Sequence, residues 1–245
     1  MTDTDTTLTL PSWNMPLTPR ETFDRHLQGL LDQVLVLGSM VEQAVMQSIE
    51  ALQRRDHTAA RRIYADDQRI NERRYTIEAE TLTLIATQQP MARDLSLLAA
   101  VLEINTELER IGDYAKGICR INLLLGDEPF IMPLHDLEDM AEIGLDMLHR
   151  ALTAFVHRDA ETARAIPAED DQIDALYNRI YYDLIQKMIA NPDMIDHANH
   201  LMWAAHNLER MADRVTNICE RIVFVVTGEM TELDISDDER ARKGL

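Results

Sequence analysis

The chain has 245 residues, with 43 acidic side chains against 24 basic ones and a formal net charge of −19. That length suffices for one large domain or two small ones with real cores, while so acidic a surface repels nucleic-acid backbones and anionic lipids and favours metal cations or basic protein surfaces. Two cysteines cannot build a disulfide framework, which points to a reducing, cytoplasmic setting.

Residues 1–19 lack the basic and apolar regions of a secretory signal and read as a disordered arm. A first helix is expected from Thr18-Pro19-Arg20-Glu21, a cap with Pro in the first turn. Apolar residues Leu27, Leu30, Leu31, Val34, Leu37, Val41, Val45, Ile49 and Leu52 then recur at three and four. Arg54 to His57 breaks the pattern, with Asp56 as the next cap, and a second helix runs over about 58–87. Gln88-Gln89-Pro90 ends it, a third helix follows over about 91–125, and Gly126-Asp127-Glu128-Pro129 opens a linker at 127–132. The second half repeats the plan, with helices expected over about 134–156, 160–190 and 194–226, the last stopping at Gly228. Residues 229–245 form a charged tail that frays. No segment reads as a strand. No apolar run approaches the roughly 20 residues needed to span a bilayer, so direct membrane insertion is not expected.

The two halves match residue by residue. Leu108-Glu109-Arg110-Ile111-Gly112-Asp113 recurs as Leu208-Glu209-Arg210-Met211-Ala212-Asp213, 100 residues on, and Ile118-Cys119 matches Ile218-Cys219. Asp67-Gln68-Arg69-Ile70-Asn71 matches Asp170-Asp171-Gln172-Ile173-Asp174 at an offset of 103, as Asp56 matches Asp159. The offset changes at the loop between second and third helices, where a length change costs least. These matches give an all-α fold of two pseudo-symmetric three-helix bundles, six long helices in all, with repeats over residues 20–126 and 133–228.

Each half carries two acidic helix faces. Glu109/Asp113 and Glu209/Asp213 lie on the third helices, and Asp67/Asn71 and Asp170/Asp174 on the second, all spaced i, i+4. Like charges at that spacing destabilise a helix by a few tenths of a kcal/mol, so writing the pattern twice in register points to a cation for them to hold. Oxygen donors of this kind suit Mg²⁺, Ca²⁺, Mn²⁺ or Fe, and Zn²⁺ also. The rival reading is a salt-bridge lattice, since Arg110 and Arg210 follow the two glutamates. Cys119 and Cys219 lie about 240° around the helix from Asp113 and Asp213 and read as small buried hydrophobes. His206 lies three residues before Glu209, but its equivalent is Thr106, so it reads as a surface residue. No phosphate-binding Gly loop, G-x-S-x-G or HExxH motif is present.

The string at 108–115, paired with that at 207–218, resembles the PhoU family of phosphate-signalling regulators. Pro90-Met91-Ala92-Arg93-Asp94-Leu95 and the Asp-x-x-Ile-Asn string at 67–71 extend the similarity to about residues 20–228. The resemblance implies six helices in two bundles and metal ions (Fe, Zn, Mn or Mg) at the repeated faces. Glu109, Asp113, Glu209 and Asp213 are then first-choice ligands, and Asp67, Asn71, Asp170 and Asp174 second-choice. It also implies a non-enzymatic adaptor, often a homodimer, between the nucleotide-binding subunit of a phosphate ABC transporter and a sensor histidine kinase. Such an adaptor represses phosphate-starvation genes and limits uptake. Asn71 departs from the acidic pattern, which implies that the two metal sites differ in occupancy or metal. A carboxylate-bridged dinuclear metal enzyme is the alternative from another class, but such bundle sites use Glu-x-x-His, which is absent here. A metal-free helical scaffold is the third reading.

Overall fold

The computed structural model describes residues 18–233, so the expected arm before Thr18 and most of the expected tail lie outside the described residues. The helices are α1 (Pro19–Arg54), α2 (His57–Gln88), α3 (Ala92–Leu125), α4 (His135–His157), α5 (Ala160–Ala165), α6 (Asp170–Ala190) and α7 (Ile195–Thr227). Among the described residues there is no strand.

Local chemistry sets the boundaries. The Thr18 hydroxyl accepts from the Glu21 amide at 3.2 Å while the Glu21 carboxylate accepts from the Thr18 amide at 2.8 Å, closing a capping box in front of Pro19. Asp56 and Asp159, equivalent in the repeat, cap α2 and α5 by accepting from backbone amides. The residue before each of them, Arg55 and Arg158, takes up the left-handed conformation that ends the preceding helix, with φ of 51° and 54°. The repeat is thus visible in the caps as well as in the acidic strings. Gly228 ends α7 at φ 78°, where a side chain would be strained.

One expectation needs correction. The stretch 160–190 is not a single helix, because Ile166–Glu169 forms a 3₁₀ turn between α5 and α6. Pro167 has no amide to donate and cannot continue an α-helix from α5, so the chain tightens there and restarts at Asp170.

Each half packs as three helical segments, α1/α2/α3 and α4/α5–α6/α7. The halves meet through their equivalents: α3 packs along α7, the most extensive helix pair, and α1 packs on α4. Glu103 pairs with Arg221, Glu107 with Arg214 and Tyr114 with Arg210, so residue numbers rise on α3 as they fall on α7 and the two run antiparallel. The outer helices α2 and α6 pack only within their own half. A shared hydrophobic core collects side chains from both halves, Leu37, Ile104 and Leu108 beside Met147, Leu208 and Val215. By length and hydropathy α1 could cross a membrane, but Leu30, Val34, Leu37, Val41 and Val45 on its apolar stripe are buried in this core.

Candidate metal-binding faces

In the N-terminal half α2 carries Asp67 and Asn71, and α3 carries Glu109 and Asp113. Asp67 is buried at 4% exposure although it is a carboxylate. Its Oδ2 accepts from Lys116 Nζ at 2.6 Å and from Asn71 Nδ2 at 3.1 Å. Its Oδ1 has no hydrogen-bond partner and lies against Gly112, where an added Cβ would come within 3.9 Å. The absent side chain at Gly112 makes room for Ile70, whose methyl groups would lie 3.2 and 3.3 Å from an added Cβ. Lys116 Nζ also lies 3.9 Å from Asp113 Oδ1 and over the Tyr64 ring. A cleft of about 160 Å³, lined by Met40, Ile63, Asp66, Asp67, Gly112 and Lys116, opens beside the pair. Glu109 is half-buried, and desolvation followed by repulsion from Asp113 raises its carboxyl above the usual range. Desolvation, then the Asp67 charge, does the same to Asp113.

In the C-terminal half α6 carries Asp170 and Asp174, and α7 carries Glu209 and Asp213. The 3₁₀ turn makes Asp170 the first residue of α6, where the helix dipole favours its negative charge. Desolvation raises the Glu209 carboxyl, followed by repulsion from Asp213, with Asp174 adding to it and His206 opposing. Glu209 Oε2 is shielded from solvent and faces His206 Nδ1 at 3.1 Å, off the alignment of a hydrogen bond. Arg214 lies 3.9 Å from Asp213 and 3.4 Å from Glu107. Thr216 is buried, and its hydroxyl has no hydrogen-bond partner among the described residues.

The structure thus brings the sequence-expected acids into two electrostatically connected groups, Glu109–Asp113–Asp67 and Glu209–Asp213–Asp174. Asn71 joins the first as a donor to Asp67. Among the described residues no three His, Cys, Asp or Glu side chains are gathered as a bound ion needs. The donor chemistry suits a hard cation, and crowded, part-desolvated carboxylates gain from one. Two residues enter that the sequence reading did not place in the faces: Lys116 at the first and His206 at the second. Glu109, Asp113 and Lys116 stand at i, i+4 and i+7, a spacing that held the signal for the lysine. Both cysteines are fully buried, and burial pushes each thiol up to about 12.

The PhoU domain model matches residues 34–121 and 137–222, one copy on each half. The chain is 35% identical to the phosphate-specific transport system accessory protein PhoU homolog of Caulobacter vibrioides, over 85% of this chain and 91% of the relative. It is 33% identical to the phosphate-specific transport system accessory protein PhoU of Escherichia coli K12, over 84% and 86%. Among solved structures, the phosphate transport system regulatory protein PhoU from Streptococcus pneumoniae superposes with a TM-score of 0.80 at 31% identity, covering 85% of this chain and 99% of that one. PhoU from Pseudomonas aeruginosa superposes with a TM-score of 0.81 at 28% identity, covering 84% and 100%.

Proposed function

The chain belongs to the PhoU family, and on that premise we propose that it is a cytoplasmic, metal-binding accessory regulator of phosphate uptake, acting by contact rather than catalysis. The observation that carries the metal part is the doubled acidic face. In each half desolvation, and then the charge of neighbouring carboxylates on two helices, raises the proton affinity of the glutamate, Glu109 or Glu209, an arrangement that a polyvalent cation relieves. The ligands are drawn from Glu109, Asp113, Glu209 and Asp213, with Asp67, Asn71, Asp170 and Asp174 in support. Fe, Zn, Mn and Mg all suit such oxygen donors, and His206 beside Glu209 favours the transition metals on the C-terminal face.

The names of the relatives support the transporter side of this reading. The partners we propose are the nucleotide-binding subunit of a phosphate ABC transporter and a sensor histidine kinase, contacted by a homodimer. Metal ions neutralise part of a surface of net charge −19 and fix its shape, so the face can receive a basic or mobile element of a partner. Phosphate status then acts by shifting the population of the bound complex, which requires different affinities for the partner's two states. The outcome is negative control of uptake and of phosphate-starvation signalling.

The test is elemental analysis of untagged protein beside a variant carrying Glu109→Ala, Asp113→Ala, Glu209→Ala and Asp213→Ala. Near-stoichiometric metal in the wild type and none in the folded variant is the expected result. Metal-free protein in both cases would leave the faces as salt-bridge lattices.

A further inference from the structure

The two acidic faces are not chemically equivalent. On the N-terminal face Lys116 Nζ sits 2.6 Å from Asp67 Oδ2 and 3.9 Å from Asp113 Oδ1, bridging α2 and α3 where an ion held by both helices would bind. Asp67 Oδ2 also accepts from Asn71, so its accepting capacity is used. Its other oxygen is shielded from solvent. A divalent ion entering there would have to displace the ammonium and then stay beside it, two like charges in a part-desolvated cleft.

At the offset of 100 residues, Lys116 corresponds to Thr216. Thr216 stands seven residues after Glu209 and three after Asp213, on their stripe of α7. From the same register on α3, Lys116 reaches Asp67 on the second helix of its half. Thr216 is 2% exposed, and its hydroxyl has no hydrogen-bond partner among the described residues. A neutral oxygen thus stands where the N-terminal face keeps an ammonium, and His206 adds an imidazole nitrogen 3.1 Å from Glu209.

We propose that Lys116 is the resident cation of the N-terminal face, which therefore takes no metal ion, and that metal loading is confined to the C-terminal face. The second clause rests on the metal-binding reading above and narrows its ligands from both faces to Glu209 and Asp213, with Asp170 and Asp174 in support; the first clause does not rest on it. Asn71 and Lys116 act together: the amide replaces one negative charge of the repeat and the ammonium cancels another.

The test titrates Mn²⁺ into chelator-stripped full-length protein and reads free Mn²⁺ by electron paramagnetic resonance. Folding of each variant is checked by circular dichroism. Wild type should bind Mn²⁺, keep it in the Glu109→Gln/Asp113→Asn variant and lose it in the Glu209→Gln/Asp213→Asn variant. Lys116→Thr should add a second equivalent, removed again by Glu109→Gln/Asp113→Asn, whereas Lys116→Arg should add none. Loss of wild-type Mn²⁺ through the N-terminal pair, or no added equivalent in Lys116→Thr, overturns the proposal. If wild type binds nothing and Lys116→Thr binds one equivalent, the metal reading of the C-terminal face falls while closure by Lys116 stands.

Discussion

Asp67 and Lys116 show what a buried charge requires of its neighbours. With Asp67 at 4% exposure, removing the ammonium in metal-free protein leaves a buried carboxylate without its cation partner. Lys116→Met should therefore cost about 2 kcal/mol without added metal, below the full penalty of a broken buried pair because the lysine is part-exposed. Adding Asp67→Asn should recover most of that loss, since both charges are then gone, and urea unfolding of the four proteins measures the coupling. The pair raises the lysine's proton affinity above the ordinary 10.5, chiefly through the Asp67 hydrogen bond. Its contribution is therefore complete below that value and lost only as pH rises through the higher folded value. His197 works in the opposite sense. Burial lowers its proton affinity below the ordinary 6.5 against the pull of Glu128, with His200 and Arg55 adding to the lowering. The unfolded chain protonates first, so stability should fall as pH drops through 6.5 and level off below the folded value. Thermal midpoints at pH 7.5 and 5.5 should differ less in His197→Gln than in wild type; an equal fall would assign the effect to other groups.

At the scale of helices, the crossing of α1 over α4 depends on one missing side chain. A Cβ on Gly38 would run into Leu152 Cδ1, the mobile end of a side chain that is itself buried. Gly38→Ala gains helix propensity but overpacks this contact, so a net loss of about 1 kcal/mol is expected. Leu152→Ala alone should cost about 3 kcal/mol through the cavity it leaves. Combined, the two should cost less than their sum, because the new methyl occupies part of the vacated space; strict additivity in urea unfolding would place the two residues out of contact. Much of this level was legible in the sequence: the i, i+3, i+4 spacing from Leu27 to Leu52 located α1, and Asp56 and Asp159 marked its end and that of α4. The interruption at Pro167 was not, because Ala163, Ile166, Ile173 and Ile180 keep a helical buried stripe across the 3₁₀ turn. The acidic strings likewise marked both faces, but the reach of Lys116 to α2 depends on helix rotation, which spacing along one chain does not specify. His206 was weighed by its counterpart Thr106, and that comparison concealed a nitrogen 3.1 Å from Glu209.

The whole molecule joins its halves by pairing equivalent helices, and that has a consequence for cooperativity. α3 and α7 lie antiparallel with Leu108 and Leu208 in the shared core, while Glu107–Arg214, Glu103–Arg221 and Tyr114–Arg210 tie the two helices along the polar side of the seam. Neither half can bury its inner helix alone, since the face that α3 presents to α7 would meet water if α7 were removed. Halves that share such a core depend on each other for burial, so the chain is expected to unfold as one unit. Urea unfolding should therefore follow a single transition, with helix content by circular dichroism and amide exchange of α2 and α6 tracking each other. The segment between Leu125 and His135 holds no helix and offers a place to divide the protein. Fragments 1–126 and 127–245 should each show reduced helicity and a broad melt when separate, and recover a sharp transition when mixed in equal amounts. Two fragments that melt sharply alone, at the midpoint of the intact chain, would instead make the bundles independent domains. A metal ion bound at one face would then stabilise only its own half. In the single-unit molecule it stabilises both, because the free energy of binding is shared by everything that must unfold to release it.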